Sequence, residues 1–575
     1  MSAWSPPPGT RGDISLVRTG LPMARADSRD CPTARAVKVR PGVRETGAGT
    51  RGKPIYETFT PGPFMAALDL IEFDDSRSVD SVLEQLRVTR GRFGKRGAPA
   101  HPGHIAWVAE AVERYLDSRA ADEAARAASG APPTYPVRHE WIVRDELTVA
   151  DRRGALIYER TAWGRRYATA DGSLRELRLL SVGDSKEDRP ASEKAAAAYI
   201  VAFGLPAYNE WGKAYLPVPD LPAQATRVPD RVRVLDFGCG DDTATELVDC
   251  TPEQARDAFA EHAVPVLAES VDGDGKSPGS ACVDCKALAG CAELPRTPVL
   301  LGVPAPPRRR RRRSVSASDL RTHAECPTKF HLTRVLHVRS PRPENDAIQR
   351  GRAVDAWLNQ WHLVRHPRGC RDVELPPDGE ELTVGALHLV GAPARTAARM
   401  IAEHRTLCPL DGLAGREVVE VQKQVTAYDP ELDAVIIAKP DLLYTRDGGW
   451  IWRETKTAAH YLYEGKPLLG SYPQLALAVL LMAAGVLGGD STRARIELEI
   501  LYPDDSSLEE IDPGRDSVVE EARAAVRELA APWAGDETHE PRVGRQCSHC
   551  EVVEWCSAGR EHIAAGGVEA PRGSS

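Results

Sequence analysis

The chain has 575 residues, 42% hydrophobic and 27% charged, with 74 Lys and Arg against 83 Asp and Glu, a formal charge of −9. This length allows two to four domains, and the composition excludes wholesale disorder. Mild acidity excludes a histone-like positive coat, and the longest apolar run, residues 475–487, is too short to cross a bilayer and reads as a buried helix.

Residues 1–50 hold Pro6, Pro7 and Pro8, many Gly and Arg, and no apolar periodicity, so a disordered tail is expected there. No charged start leads into an apolar stretch, which argues against secretion and for the cytoplasm. The 12 Cys of such a chain point to metal or cluster ligation, or to buried thiols, before disulfides. Residues 51–302 follow as a first unit of mixed strands and helices. Pro304, Pro306 and Pro307, with six arginines from Arg308 to Arg313, read as an extended, solvated linker over 303–315. It serves equally as a spacer or as a phosphate-binding strap. Residues 316–562 form a second mixed unit, and 563–575 a flexible tail.

The two units look alike. Cys282, Cys285 and Cys291 have the spacing C-x2-C-x5-C, and so do Cys547, Cys550 and Cys556. Upstream of the first triplet come Arg231 and Arg233, an Asp241-Asp242 turn, then a helical stretch from Thr251. Upstream of the second come Arg493 and Arg495, an Asp504-Asp505 turn, then a helical stretch from Ser517. Further back, Asp171-Gly172 leads into Glu176 and Arg178, as Asp447-Gly448 leads into Glu454 and Lys456. Features recurring in one order indicate a tandem duplication.

In the second unit, residues 434–444 read as a buried strand with Asp441 near its end. Asp447, Gly448 and Gly449 signal a hairpin. The next strand, residues 450–456, sets Glu454 and Lys456 on one face. Acidic residues on two adjacent strands can hold a hard divalent cation, and a neighbouring Lys can orient a water and steady charge on a phosphate. Gln474, on a helix starting near Tyr472, can reach back toward the same place.

These residues resemble the PD-(D/E)XK nuclease superfamily, with Pro440-Asp441 and Glu454-Thr455-Lys456 as its PD and ExK elements. Tyr472-Pro473-Gln474-Leu475 is similar to the Gln motif of the RecB-like, iron–sulfur (AddB-like) branch. Ser316 to Asp319 and Cys326 to Phe330 are similar to that branch's entry helix. The resemblance implies a mixed sheet flanked by helices, Mg²⁺ or Mn²⁺ at Asp441 and Glu454, and a 4Fe-4S cluster on Cys326, Cys547, Cys550 and Cys556. Spacing alone leaves structural zinc open for these four thiols. The family's G-x-x-x-H element departs here: Gly351 is followed by Asp355, whose carboxylate can replace an imidazole on either ion. His362 is a possible substitute ligand, though a lone helical His is more often structural. Cys370 and Cys408 read as buried thiols without partners.

In the first unit Arg178 stands for the Lys, and Gly164 or Arg165 for the Asp. Arg binds phosphate but is a poor base. Residues 51–302 therefore read as a degenerate nuclease-like copy, with Cys31 as the fourth partner of Cys282, Cys285 and Cys291 in a possible second cluster, and Cys239 and Cys250 as fallbacks. The segment from Val234 to Gly240 also resembles the S-adenosylmethionine loop of class I methyltransferases. Too little chain follows before the Cys triplet for that fold, so this is a minor alternative.

The expected function is a metal-dependent DNA exonuclease or end-processing nuclease in recombination, repair or defence against foreign DNA. Asp441, Glu454 and Asp355 hold the ion, Lys456 activates water, and Gln474 positions the attacking group or DNA. The chain has no P-loop, so any helicase motor belongs to a separate subunit. The competing reading is a non-catalytic DNA-binding scaffold of a helicase–nuclease complex.

Overall fold

The computed structural model describes residues 4–25, 30–47, 52, 54–74, 77–88, 98–148, 155–209, 213–306, 310–338, 345–376, 379–458 and 467–566. The architecture is mixed α/β, with mixed sheets flanked by helices. The first half runs β1 (Leu16–Gly20), α1 (Pro32–Lys38), α2 (Pro102–Ala128), β2 (Thr134–Pro136), β3 (Glu140–Thr148), β4 (Ala155–Thr161), β5 (Arg165–Thr169), β6 (Leu174–Ser181), α3 (Ala191–Phe203), β7 (Arg231–Gly238) and β8 (Ala244–Cys250). The second opens with β9 (Arg313–Val315), α4 (Ala317–Glu325), α5 (Pro327–Phe330), α6 (Asp346–Val364) and α7 (Ala392–Leu407). It continues with β10 (Val419–Val421), β11 (Val425–Asp429), β12 (Ala434–Ala438), β13 (Leu442–Arg446), β14 (Gly449–Thr457), α8 (Pro473–Ala483), β15 (Arg495–Leu501), β16 (Ser506–Ile511) and α9 (Asp516–Gly535).

Two five-stranded sheets share one plan. Their orders are β2-β5-β6-β7-β8 and β10-β13-β14-β15-β16. In each, the third and fourth strands are parallel and the other neighbours antiparallel. A parallel pair needs a crossover, which α3 and α8 supply. Each half also holds a second sheet with one motif in common, β1 parallel to β4 with β3 antiparallel to it in a five-stranded sheet, and β9 parallel to β12 with β11 antiparallel to it in a three-stranded one. α8 is buried along most of its length, which explains its nearly unbroken apolar sequence.

Three expectations are corrected. Residues 1–50 are not a bare tail: β1 pairs with β4, and Val17, Val37 and Val43 are buried, while residues 1–3, 26–29 and 48–50 lie outside the described residues. The basic run is not solvated throughout: Arg311 is exposed, but its neighbours are held by the fold. Arg312 is buried, with Nε 2.7 Å from Asp433 Oδ1 and Nη2 3.0 Å from Glu45 Oε1, and the Arg313 guanidinium lies 3.8 Å from the Trp533 ring centroid. These partners offset the desolvation that keeps unpaired arginines at the surface. Arg308 and Arg309 lie outside the described residues, as do residues 567–575 of the expected C-terminal tail. Finally, residues 434–444 form two strands in different sheets, because Pro440 has no N–H to continue a ladder.

The halves pack reciprocally. Leu288 and Leu294, beside the first Cys triplet, share a core with Tyr428 and Val435 of the second half. Val552 and Trp555, beside the second triplet, join the core around α2, and Trp555 Nε1 donates to Glu110 Oε2 at 2.6 Å.

Candidate active site

Asp441 sits at the break between β12 and β13, where the chain passes from one sheet to the other. The hairpin that follows turns through Asp447 and Gly448, at φ 51° and 85°, as a tight two-residue connection requires. It returns β14 alongside β13, and the backbone N–H of Thr455 donates to Asp441 Oδ2 at 2.7 Å. Glu454 and Lys456 flank Thr455 and share a face: Lys456 Nζ lies 3.1 Å from Glu454 Oε2 and 3.6 Å from Asp441 Oδ2. Trp452 Nε1 donates to Glu454 Oε1 at 3.1 Å.

Asp355 comes from α6. Gly351, one turn earlier, lets that helix approach β14: a Cβ there would stand 3.1 Å from Thr457 Oγ1. Gln422 Nε2 joins the two aspartates, donating to Asp355 Oδ1 and Asp441 Oδ1 at 3.2 Å each. Gln422 has φ 52°, a left-handed turn just after β10. Sequence reasoning missed it, because a glutamine in a polar loop carries no periodic or spacing signal.

Burial, and then the charge of Asp441, push the Glu454 carboxyl up to about 7 and that of Asp355 up to about 6. Burial works against the Lys456 ammonium, but Asp441 and Glu454 outweigh it and hold Lys456 above its ordinary range. The centre therefore holds three carboxylates against one ammonium, in surroundings that penalise charge.

Gln474 stands half-buried in the first turn of α8. No hydrogen bond joins it to the carboxylates among the described residues, so the structure places it on the neighbouring helix and not in the cluster. His362, weighed as a substitute ligand, faces away. It is buried with its Nε2 3.2 Å from His404 Nε2. Cys370 and Cys408 are not solitary thiols either: they lie beside these two histidines.

The Cys sets are brought together as two enclosed clusters. Cys326 caps α5, and it lines one small cavity with Cys547, Cys550 and Cys556. Cys31 caps α1, and it lines another with Cys282, Cys285 and Cys291. In both, a proline follows the capping Cys and opens the helix. Burial, then the neighbouring thiols, push Cys550 up to about 11 and Cys285 up to about 12. Cys239 and Cys250 stand elsewhere, the former in the core around α2 and the latter at the end of β8.

In the first half the strand registers shift the sequence match by three residues. Arg165, which follows Gly164, pairs with Arg178, as Leu442, which follows Asp441, pairs with Arg453. The parallel pairing agrees, since Glu176 lies opposite Arg233 and Ile451 opposite Arg495. Arg178 thus corresponds to Arg453, and both are buried ion-paired arginines. Leu179 and Ser181 stand where Glu454 and Lys456 do. Glu176, expected as the counterpart of Glu454, lies mid-strand against Arg178 and Arg233 at 2.7 and 2.8 Å. The glycine-rich segment ending at Gly240 turns into antiparallel β8 and not into a helix, so no strand–loop–helix cofactor cradle forms and the methyltransferase alternative falls.

Residues 314–557 match the family model of the PD-(D/E)XK nuclease superfamily. No curated protein matches the chain. Among solved structures, "Crystal structure of SSO0001" is similar at 17% identity and a TM-score of 0.22, over 43% of this chain and 86% of that one. No helix among the described residues is long and apolar enough to cross a membrane.

Proposed function

Starting from a PD-(D/E)XK nuclease domain at residues 314–557, we propose that the chain is a metal-dependent DNA nuclease with one active centre, in its second half. The observation that carries this is the convergence of Asp355, Asp441, Glu454 and Lys456 from α6, β14 and the β12–β13 break. The donor set fits a hard divalent ion: it is all oxygen, and burial, then the charge of Asp441, raises the Glu454 and Asp355 carboxyls, a cost that a bound cation would offset. Asp355, Asp441 and Glu454 would hold Mg²⁺ or Mn²⁺. Bound there, the ion supplies a polarised phosphate and an acidified water.

Lys456 holds a water for in-line attack on a phosphodiester and counters the charge growing on the phosphate. Trp452 and Thr455 orient the Glu454 and Asp441 carboxylates through their N–H groups. Gln474, on the neighbouring helix, steadies the nucleic acid. The first half, with Leu179 and Ser181 in place of Glu454 and Lys456, is a degenerate copy that serves as scaffold or DNA hold. Four thiols around one cavity suit a 4Fe-4S cluster on Cys326, Cys547, Cys550 and Cys556, with zinc as the rival occupant, and a second on Cys31, Cys282, Cys285 and Cys291. Twelve free cysteines support a reducing, cytoplasmic setting. The biological role is end processing in recombination, repair or defence, with any helicase supplied by a partner.

The rival reading, a non-catalytic DNA-binding scaffold, draws on Asp355 standing where the resemblance has His. Cleavage of end-labelled linear DNA by anaerobically purified protein, with Mg²⁺ or Mn²⁺ and beside Lys456→Ala, separates the two. Metal-dependent cleavage lost in the variant supports the nuclease. A folded, brown parent protein that binds DNA without cutting it supports the scaffold.

A further inference from the structure

Behind the candidate active site lies a second cluster that the nuclease reading does not use. His362 is in the last turn of α6, and Cys370 is in the 3₁₀ turn Gly369–Asp372. His404 and Cys408 stand one helical turn apart at the end of α7. One ligand atom from each lies within 4.8 Å of all the others. All four side chains are buried: His404 is 0% exposed, Cys370 1%, His362 4% and Cys408 6%. Both cysteines are free thiols.

We propose that His362, Cys370, His404 and Cys408 bind one structural Zn²⁺. Two thiolates and two imidazoles form a closed tetrahedral donor set for this ion. The geometry is close to the bound one. Two nitrogens held at about 2.0–2.1 Å from a tetrahedral ion stand roughly 3.3–3.4 Å apart, and His362 Nε2 and His404 Nε2 are 3.2 Å apart. His404 Nδ1 faces Glu499 Oε1 at 2.8 Å. That carboxylate keeps the proton on Nδ1 and leaves the Nε2 lone pair for the metal, the usual support behind a ligating histidine.

The sulfur side is also arranged. The backbone N–H of Cys370 donates to Cys408 Sγ at 3.3 Å. Gly369 has φ +56°, and a Cβ there would stand 2.7 Å from that sulfur, so only glycine lets the turn close over it. The ion would clamp the end of α6 to the end of α7. Asp355 lies two turns before His362 on α6, so the clamp also fixes the height of Asp355 against β14. The assignment does not rest on the nuclease reading.

The test is zinc and iron content of the full chain, purified with zinc in the medium, beside Cys370→Ser/Cys408→Ser. The expected result is one zinc per chain lost in the double variant, with iron unchanged, and an anomalous peak at the zinc edge between the four residues in crystals of the parent. His362→Cys retains that zinc, whereas His362→Ala loses it. If the variants do not fold, the anomalous map of the parent decides alone. Equal zinc in parent and folded double variant, or a map showing no metal there or a Cys370–Cys408 disulfide, overturns the proposal.

Discussion

The backbone N–H of Thr455 donates to Asp441 Oδ2 at 2.7 Å. This bond ties the residue at the break between two sheets to the middle of the Glu-Thr-Lys run, so the placement of Asp441 is set by the same strand that carries Glu454 and Lys456. Short of proline, no substitution at 455 removes this backbone donor, so the anchor of Asp441 does not depend on the Thr455 side chain.

Lys456→Ala is expected to lower metal-dependent cleavage of linear DNA by about 10²–10⁴-fold, the range for loss of a positioned proton-transfer group. Single-turnover cleavage at saturating DNA reads this directly, and unchanged DNA binding separates it from misfolding.

Gly351→Val is expected to push α6 away from β14, because even a Cβ already stands 3.1 Å from Thr457 Oγ1. Misplacing Asp355 by roughly 1 Å is worth about 10²-fold in rate. The measurement is kcat beside circular dichroism: activity falls while helix content stays.

Asp355→Asn probes the raised carboxyl without metal. Burial, then Asp441, raise Asp355 to about 6, so the folded state holds its proton more tightly than the unfolded chain does. The contribution of Asp355 to the parent's stability therefore falls as pH rises from about 4 to about 6, and its cost is fully present above that window. At pH 8 the variant should be more stable than the parent by about 3 kcal/mol, and at pH 3.5 close to it. Urea unfolding in EDTA checks both values. Mg²⁺ should raise the parent's Tm more at pH 8 than at pH 5.5, because ligation needs the proton gone.

Cys550→Ser and Cys285→Ser should each remove one cluster and leave the other. Iron and sulfide assays on anaerobic protein should fall from about eight irons per chain to about four. Zinc in place of iron in the parent would reassign the occupant and leave the ligand set intact.

Much of the candidate site was legible because its chemistry sits at short spacings. Pro440 and Asp441 mark a strand's end, and Glu454 and Lys456 share a face at a spacing of two. The two Cys triplets announce themselves, and the capping Cys31 and Cys326 each precede a Pro. What was not legible depends on register and on tertiary approach. Glu176 and Arg178 look like Glu454 and Lys456, yet strand pairing sets Leu179 and Ser181 at those places. Gln422 reaches two aspartates from a loop that nothing in its neighbours distinguishes. His362, Cys370, His404 and Cys408 come from two helices and a turn, and only His404 and Cys408 are close enough in sequence to suggest a shared face. The N-terminal stretch carries no apolar period because its strands are only three to five residues long and its one α-helix seven, each buried by contacts from distant parts of the chain.

The reciprocal seam bears on how such a chain can be divided. Each Cys triplet is roofed by the opposite half, Leu288 and Leu294 under Tyr428 and Val435, Trp555 under α2 and Glu110. A cut between residues 303 and 315 would strip both triplets of their cover at once, uncovering apolar surface on two fragments that each still carry six cysteines. Each half is thus the lid of the other's thiols, and neither can be taken away without opening the cysteine cavity of the one that remains.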